Sequence, residues 1–270
     1  MRKILEGIET IYVGGRPPVT YTGLGLNEEF IIDYIPSRVK DRILDTQGTE
    51  EISQEFEDLT KTGFEKEKLS EIFNLDERVK FWKIGESLAE CYLEDYEGIR
   101  FPYNYIRDAK NPKANLTGAD LVGFVDINSE TVFLFGEVKT SNDKSSPPTV
   151  LYGRSGMIKQ LEKIKIDPNV KNYLVRWLAF KVKNLSDGHP FKKDYKKALK
   201  IYIQSNKTRV VLIGVLVRDT PPTEKDLLSR YEELKIGLQN RTNIKLIALY
   251  MSISLKELEN LIYGGENIGA

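Results

Sequence analysis

The sequence predicts a mixed α/β (α+β) fold, in which a central mixed sheet is flanked by helices and preceded by an N-terminal appendage. Two neighbouring runs, 121–125 and 131–138, are apolar on both faces, which is typical of central strands covered on both sides. A third run, 210–217, is strongly β-branched, which favours a further strand. Segments with helical periodicity precede and follow these runs, so we expect helices on both faces of the sheet.

The remaining elements follow from the same periodicities. Outside the hairpin, we predict strands at 8–13, 210–217 and 244–252, and helices at 28–44 with a break near Pro36, 77–96, 153–166, 170–183, 192–204, 223–239 and 255–262. We interpret residues 1–75 as a docking or regulatory appendage and residues 76–270 as the main domain. The alternative is that residues 1–75 only pad the core.

The hairpin places two acids and a lysine together. If Asn128 and Ser129 are the two turn residues, the register puts Asp120 directly opposite Glu137. Side chains alternate between the faces of a strand, so Lys139 shares the face of these two acids. Two carboxylates at the edge of a buried sheet are costly unless they are paired. Lys139 pairs them in part, and a divalent cation would complete the pairing.

These residue types suit Mg²⁺, which prefers oxygen ligands and keeps several waters. Asp120 and Glu137 would supply carboxylate oxygens, and the Val138 carbonyl a further one. Such an ion lowers the pKa of a bound water and neutralises charge on a phosphate, and Mn²⁺ can substitute for it. Lys139 would orient the water or stabilise the developing charge. The hairpin therefore predicts metal-dependent hydrolysis of a phosphodiester.

The motifs at 118–120 and 137–139 resemble those of the PD-(D/E)XK nuclease superfamily, although Ala119 replaces the leading proline. The resemblance implies a restriction-endonuclease-like core and a nuclease domain over 76–270. It also implies a catalytic, metal-binding role for Glu86 on the preceding helix. Gln160, on the following helix, matches a catalytic glutamine of RecB-type nucleases. The alternatives are a surface glutamate at Glu86 and a cap or surface residue at Gln160.

Three basic residues near the motif are candidates for binding the substrate. The loop 141–148 leaves the strand that carries Glu137, so we expect Lys144, Arg154 and Lys159 to contact phosphates. A solvated loop is the alternative. We expect Glu90, one helical turn beyond Glu86, to be exposed.

The most basic segment lies further along the chain, where aromatic side chains are interleaved with lysines. Its members are Lys181, Lys183, Lys192, Lys193, Lys196, Lys197 and Lys200, with Trp177, Phe180, Phe191, Tyr195 and Tyr202. This composition is typical of surfaces that follow a nucleic-acid backbone. The alternative is a set of ordinary solvated helix faces.

Composition excludes several classes of protein. The 40 basic and 40 acidic residues balance, so nucleic-acid binding would depend on local patches. One cysteine and one histidine argue against a disulfide framework, a cysteine-rich zinc site and a histidine-based nuclease site. No run is long enough to span a membrane and no signal-peptide core is evident, so we predict a cytoplasmic protein without a membrane partner. The glycines at 23–25 lack the context of a nucleotide-binding loop, so no nucleotide cofactor is expected.

The span 85–141 is also similar to the nuclease subunits of bacterial antiphage systems, in particular the HamA component of Hachiman, which works with a helicase. This resemblance implies a Mg²⁺-dependent DNA nuclease that acts as a defence effector with a helicase or ATPase partner. Three alternatives stay open: a restriction endonuclease, a non-catalytic nucleic-acid-binding subunit with a nuclease-like fold, and a hydrolase acting on RNA.

Overall fold

The computed structural model describes residues 7–73, 78–104, 108, 118–238 and 241–264. Within these ranges, six strands form one sheet in the order β1-β2-β6-β5-β4-β3. The strands are β1 (Ile8–Arg16), β2 (Val19–Leu26), β3 (Leu121–Ile127), β4 (Glu130–Ser141), β5 (Val210–Arg218) and β6 (Asn243–Met251). β1–β2 and β3–β4 are antiparallel hairpins, and the inner pairings are parallel. The predicted mixed sheet is therefore confirmed.

Helices cover both faces of this sheet. They are α1 (Glu28–Tyr34), α2 (Lys40–Leu44), α3 (Thr46–Glu55), α4 (Gly63–Phe73), α5 (Phe81–Glu97), α6 (Met157–Ile166), α7 (Pro168–Val182), α8 (Pro190–Gln204), α9 (Lys225–Lys235) and α10 (Glu257–Tyr263). A π-helical turn, Ile35–Val39, separates α1 from α2. It contains Pro36, which cannot donate a helical hydrogen bond, so the predicted break is confirmed.

Two apolar cores lie on opposite faces of the sheet. Leu134 and Val138 of β4 belong to the core beneath α1, α2, α5 and α10. Phe133 and Phe135, their alternating neighbours, belong to the core beneath α6, α7, α8 and α9. Because β4 is covered on both sides, its run of apolar residues is continuous rather than alternating, as predicted.

The β3–β4 hairpin has the predicted register. Ile127 pairs with Glu130, and the ladder extends to the pair of Leu121 with Gly136. The turn residues Asn128 and Ser129 have φ angles of 51° and 66°. Positive φ at both central residues matches the twist of the flanking strands, and asparagine tolerates this conformation well. The turn therefore fixes which side chains reach the open end of the hairpin.

The N-terminal residues are divided between the core and its surface. β2 pairs in parallel with β6, so residues 8–26 extend the central sheet, and Ile31 and Val39 lie fully buried in the core. In α3, by contrast, Gly48 is the buried residue, and Phe64 and Ile72 of α4 are 68% exposed. Among the described residues before α5, the segment 46–73 contributes least to the core. The boundary at 75/76 is outside the described residues, and the docking or regulatory role of residues 1–75 stays a prediction.

None of the described helices combines the length and apolar character that crossing a membrane requires.

Candidate active site

A cavity of about 1180 Å³ opens beside the end of β4, where β3 begins. Its wall contains Asp120, Glu137 and Lys139, together with Glu86 from α5 and Gln160 from α6. The structure therefore brings together all five side chains that were predicted to be catalytic. They come from both strands of the hairpin and from helices on opposite faces of the sheet.

Asp120 lies immediately before β3, and its side chain accepts a hydrogen bond from a main-chain N–H of β4. The β3–β4 ladder ends at Leu121 and Gly136, and beyond it the Val138 N–H donates to Oδ2 of Asp120 at 2.9 Å. Burial raises the pKa of Asp120, and this hydrogen bond opposes that effect. The N–H and C=O of an extended residue point to the same side, so the Val138 carbonyl also faces Asp120.

Glu137 forms an ion pair with Lys139. The Lys139 ammonium donates to Oε1 of Glu137 at 2.6 Å, and the glutamate is 7% exposed. Burial and the charge of Asp120 raise the pKa of Glu137 to about 7, although Lys139 opposes this shift. Burial disfavours the charge on Lys139, but the Glu137 carboxylate outweighs it and the pKa of Lys139 is raised. The lysine therefore stays protonated at neutral pH.

Glu86 is held by a lysine of its own helix. The Lys83 ammonium lies 2.7 Å from Oε2 of Glu86. Burial raises the pKa of Glu86 to about 7; Lys83 opposes the shift, and the charge of Asp120 adds to it. These mutual effects mean that Glu86, Asp120 and Glu137 lie close enough to repel one another. Glu86 is thus part of the cavity rather than an ordinary surface residue.

A glycine sets how closely α5 approaches β4. A Cβ added at Gly85 would lie 2.1 Å from Oγ1 of Thr140, far inside van der Waals contact. Only glycine allows the helix to pack this closely, which places the neighbouring Glu86 near the motif strand.

The donor set fits a hard divalent cation. Among the described residues, no group of three or more His, Cys, Asp or Glu side chains is close enough to hold a metal ion. Two carboxylates, Asp120 and Glu137, and the Val138 carbonyl are oxygen donors that line the cavity at the end of β4. Mg²⁺ is commonly bound by one or two carboxylates and completes its shell with water, so a set of this size suits it. Glu86, which pairs with Lys83 at 2.7 Å, is therefore not part of a three-acid group of this kind among the described residues.

The basic residues of the cavity wall differ from those chosen in the sequence. Lys144, Arg154 and Lys159 are exposed and lie outside the wall, and Lys159 pairs with Glu162 at 2.6 Å. Lys163 and Arg176 line the cavity instead. Lys163 lies one turn after Gln160 on α6, and Arg176 lies next to Trp177 on α7. Phosphate contacts by Lys144, Arg154 and Lys159 stay a prediction.

The basic segment 181–200 is only partly available to a ligand. Tyr195 and Tyr202 pack edge-on against Phe133 in the core, so they cannot stack on bases. Lys192 and Lys196 pair with Asp187. Trp177 and Phe180, which precede this segment on α7, do line the cavity, as does Tyr173. Their i, i+4, i+7 spacing on α7 was the signal that could have identified this wall.

The expectation that Glu90 is exposed is wrong. Glu90 is 5% exposed because Arg42 of α2 pairs with it at 2.6 Å. The Tyr103 hydroxyl lies 3.1 Å from Oε1 of Glu90 and 3.0 Å from the main-chain oxygen of Asp120, so one proton is shared between two acceptors. Burial raises the pKa of Tyr103 well above its usual value. A continuous polar chain therefore links α2 to the backbone of Asp120.

Comparison with known proteins places this site in a family. No curated protein matches the chain. The HamA family model matches residues 27–263, a span that runs from the residue before α1 to the end of α10 and includes every residue of the cavity wall. The chain therefore belongs to the HamA family, which fits a component of the Hachiman antiphage defence system.

Proposed function

We propose that the chain is a Mg²⁺-dependent DNA nuclease of the PD-(D/E)XK type, and that it is the effector of a bacterial antiphage defence system. One observation carries this proposal: Asp120, Glu137 and Lys139 line a single cavity at the end of the motif strand. Two carboxylates and a protonated lysine are the groups that metal-assisted phosphodiester hydrolysis uses. Membership of the HamA family supports the defence role.

In this proposal, Asp120, Glu137 and the Val138 carbonyl would hold the ion, and Glu86 lies in the same cavity as a further acidic group. When bound, Mg²⁺ would lower the pKa of a water and neutralise charge on the phosphate. Three acids share one cavity, where burial chiefly, and then their mutual repulsion, raise the pKa values of Glu86 and Glu137. A bound cation would relieve this repulsion.

Lys139 supplies a fixed positive charge. Its ammonium is held 2.6 Å from Glu137 and lines the same cavity, so it can face a phosphate oxygen as negative charge develops there. Gln160 enters the cavity from α6 and offers one amide donor and one acceptor, which suits it to orient a water or a phosphate oxygen. Lys163 and Arg176 add positive charge along the wall.

The helicase or ATPase partner belongs to the same proposal. The sequence lacks a phosphate-cradling loop, so work on duplex DNA that needs ATP would come from another chain. The segment 46–73, which contributes little to the core and exposes Leu59, Phe64 and Ile72, is available for docking such a partner. Co-purification of the chain with a helicase, weakened when residues 46–73 are removed, would test this assignment.

Cleavage of plasmid and linear DNA by the purified chain tests the proposed activity. We expect degradation in Mg²⁺ or Mn²⁺, arrest by EDTA, and recovery when excess metal is restored. Cleavage that continues in EDTA would contradict metal dependence. Discrete fragments, together with a methyltransferase encoded next to the gene, would instead favour a restriction endonuclease.

A non-catalytic nucleic-acid-binding subunit is the second candidate. The observation that favours it is the pairing of Glu86 with Lys83 and of Glu137 with Lys139, which leaves each glutamate with a cation of its own. Such ion pairs would stabilise the carboxylates of a site that no longer binds a metal ion. Such a protein would bind DNA equally well with and without Mg²⁺ and would cleave under neither condition.

A further inference from the structure

One wall of the cavity is built from three aromatic rings, of which the outer two are exposed and the middle one, Trp177, is half-buried against Tyr103. Tyr173, Trp177 and Phe180 recur at i, i+4 and i+7 along α7 and therefore lie on one face of the helix. Tyr173 is 69% exposed and Phe180 is 55% exposed. Large aromatic side chains seldom remain this exposed in a row unless they meet a ligand, and these three face the same space as Asp120 and Glu137.

Positive charges surround these rings. The Lys181 ammonium lies 5.1 Å from the centre of the Trp177 ring, and the Lys183 ammonium lies 5.1 Å from that of Phe180. The Arg176 guanidinium lies 5.8 Å from the same Phe180 ring. Of these cations, Lys181 pairs with an acid, Asp108, at 2.6 Å, and Asp167 also lines the cavity. The ligand that suits rings edged by cations is a polyanion with flat apolar faces.

We propose that Tyr173, Trp177 and Phe180 stack against the bases of an unpaired strand, so that the site accepts single-stranded DNA in preference to duplex. Bases within a duplex are covered by their neighbours, whereas an unpaired strand presents free faces to aromatic side chains. The cavity, at about 1180 Å³, is only slightly larger than a typical small-ligand pocket and suits a few nucleotides. This inference rests on the proposed function, because it names the substrate class of the same site.

Binding in EDTA tests the proposal without requiring cleavage. The probes are a fluorescent thymidine oligonucleotide of about twelve nucleotides and a duplex of the same length, measured by anisotropy at one salt concentration. We expect tighter binding of the single strand. Phe180→Ala and Tyr173→Ala should each weaken single-strand binding by about 5- to 100-fold and leave duplex binding almost unchanged. Both side chains are exposed, so neither variant removes core packing.

Phe64→Ala is the matched control. Phe64 is also an exposed phenylalanine with a lysine beside its ring, since Lys68 lies 5.5 Å from the ring centre, but it belongs to α4, away from the cavity. This variant should bind the single strand like the wild type. Phe180→Trp, which keeps a stacking surface, should retain most of the affinity.

Three results would contradict the proposal that these rings stack on bases: equal affinity for single strand and duplex, no binding of either, or unchanged binding by Phe180→Ala and Tyr173→Ala. These outcomes are separate from the fate of the nuclease proposal. Preferential single-strand binding without cleavage would contradict the nuclease proposal and support the stacking proposal. Cleavage with no single-strand preference would support the nuclease proposal and contradict the stacking proposal.

Discussion

The Val138 N–H donates a hydrogen bond to Oδ2 of Asp120 at 2.9 Å, beyond the last pair of the β3–β4 ladder, Leu121 with Gly136. The Asp120 side chain thus accepts a hydrogen bond that a neighbouring strand would otherwise accept, and this bond fixes Asp120 against β4. The bond leaves the rest of the Asp120 carboxylate facing the cavity. Asp120 therefore has a structural and a chemical task that different substitutions can separate.

Asp120→Ala should destabilise the protein and abolish cleavage, whereas Asp120→Asn should only abolish cleavage. Alanine leaves the buried Val138 N–H without an acceptor, which costs about 1–3 kcal/mol. Asparagine keeps an acceptor oxygen but carries no charge for a metal. Urea unfolding and DNA cleavage, measured on both variants, check this separation. Equal losses of stability in the two variants would show that the hydrogen bond does not carry the structural role.

Mg²⁺ or Mn²⁺ should raise the melting temperature of the wild type and not that of Glu137→Gln. A ligand that binds only the folded state stabilises it by about 2.7 kcal/mol at one hundred times its Kd, which is a shift of roughly 5–10 °C for a chain of this size. Differential scanning calorimetry with metal titrated into EDTA-treated protein measures this shift. Equal stabilisation of Glu130→Gln, at the other end of β4, serves as the control. A wild type insensitive to either ion would favour the non-catalytic subunit.

Without metal, the stability of the protein should fall as pH rises. The pKa values of Glu86 and Glu137 are raised from 4.5 to about 7 in the folded state, chiefly by burial. Between these values the folded protein keeps protons that the unfolded chain has released, so each group's contribution is full below 4.5 and lost through about 7. For one group the full shift corresponds to on the order of 3 kcal/mol.

Urea unfolding in EDTA at about pH 5 and about pH 8 measures this dependence. Glu137→Gln, which cannot titrate at this position, should lose less stability over the same range than the wild type. The difference between the two proteins removes the contributions of other titrating groups. A wild type that gains stability relative to Glu137→Gln as pH rises would contradict the account.

Gly85→Ala should destabilise the protein by about 1–3 kcal/mol, even though alanine is the better helix former. The added Cβ would meet Oγ1 of Thr140 at 2.1 Å and push α5, with Glu86, away from β4. Combining it with Thr140→Ala should restore most of the loss, because the colliding atoms are removed. Gly63→Ala is the control, since no atom lies within 4 Å of a Cβ there. If the double variant is no more stable than Gly85→Ala, the collision is not the cause.

Local sequence patterns predicted the parts of the site that depend on residues close together in the sequence. The two-residue turn at Asn128 and Ser129 fixed the hairpin register, and this register brought Asp120 to Glu137. A glycine in the middle of a helix, such as Gly85, is a local signal of the same kind for close packing. These features depend on spacing along a few residues, which periodicity and turn chemistry express directly.

Contacts between distant residues could not be predicted in this way. The pairing of β2 with β6 joins residues more than two hundred positions apart. For this reason residues 8–26 were interpreted as part of an appendage. Glu90 read as exposed because its partner Arg42 lies on another helix. Lys163 and Arg176 were missed because their position beside the cavity depends on how α6 and α7 pack against the sheet.

The most direct test of the central claim compares DNA cleavage by Glu137→Ala, Lys139→Ala and Glu130→Ala in Mg²⁺. Glu130 lies on the same strand, but it pairs with Arg209 far from the cavity. We predict that the first two variants fold and lose at least about a hundredfold in cleavage rate, since each removes a charge that acts on the reacting phosphate, whereas Glu130→Ala cleaves like the wild type. Retained cleavage in Glu137→Ala or Lys139→Ala would contradict the assignment of this cavity as the active site.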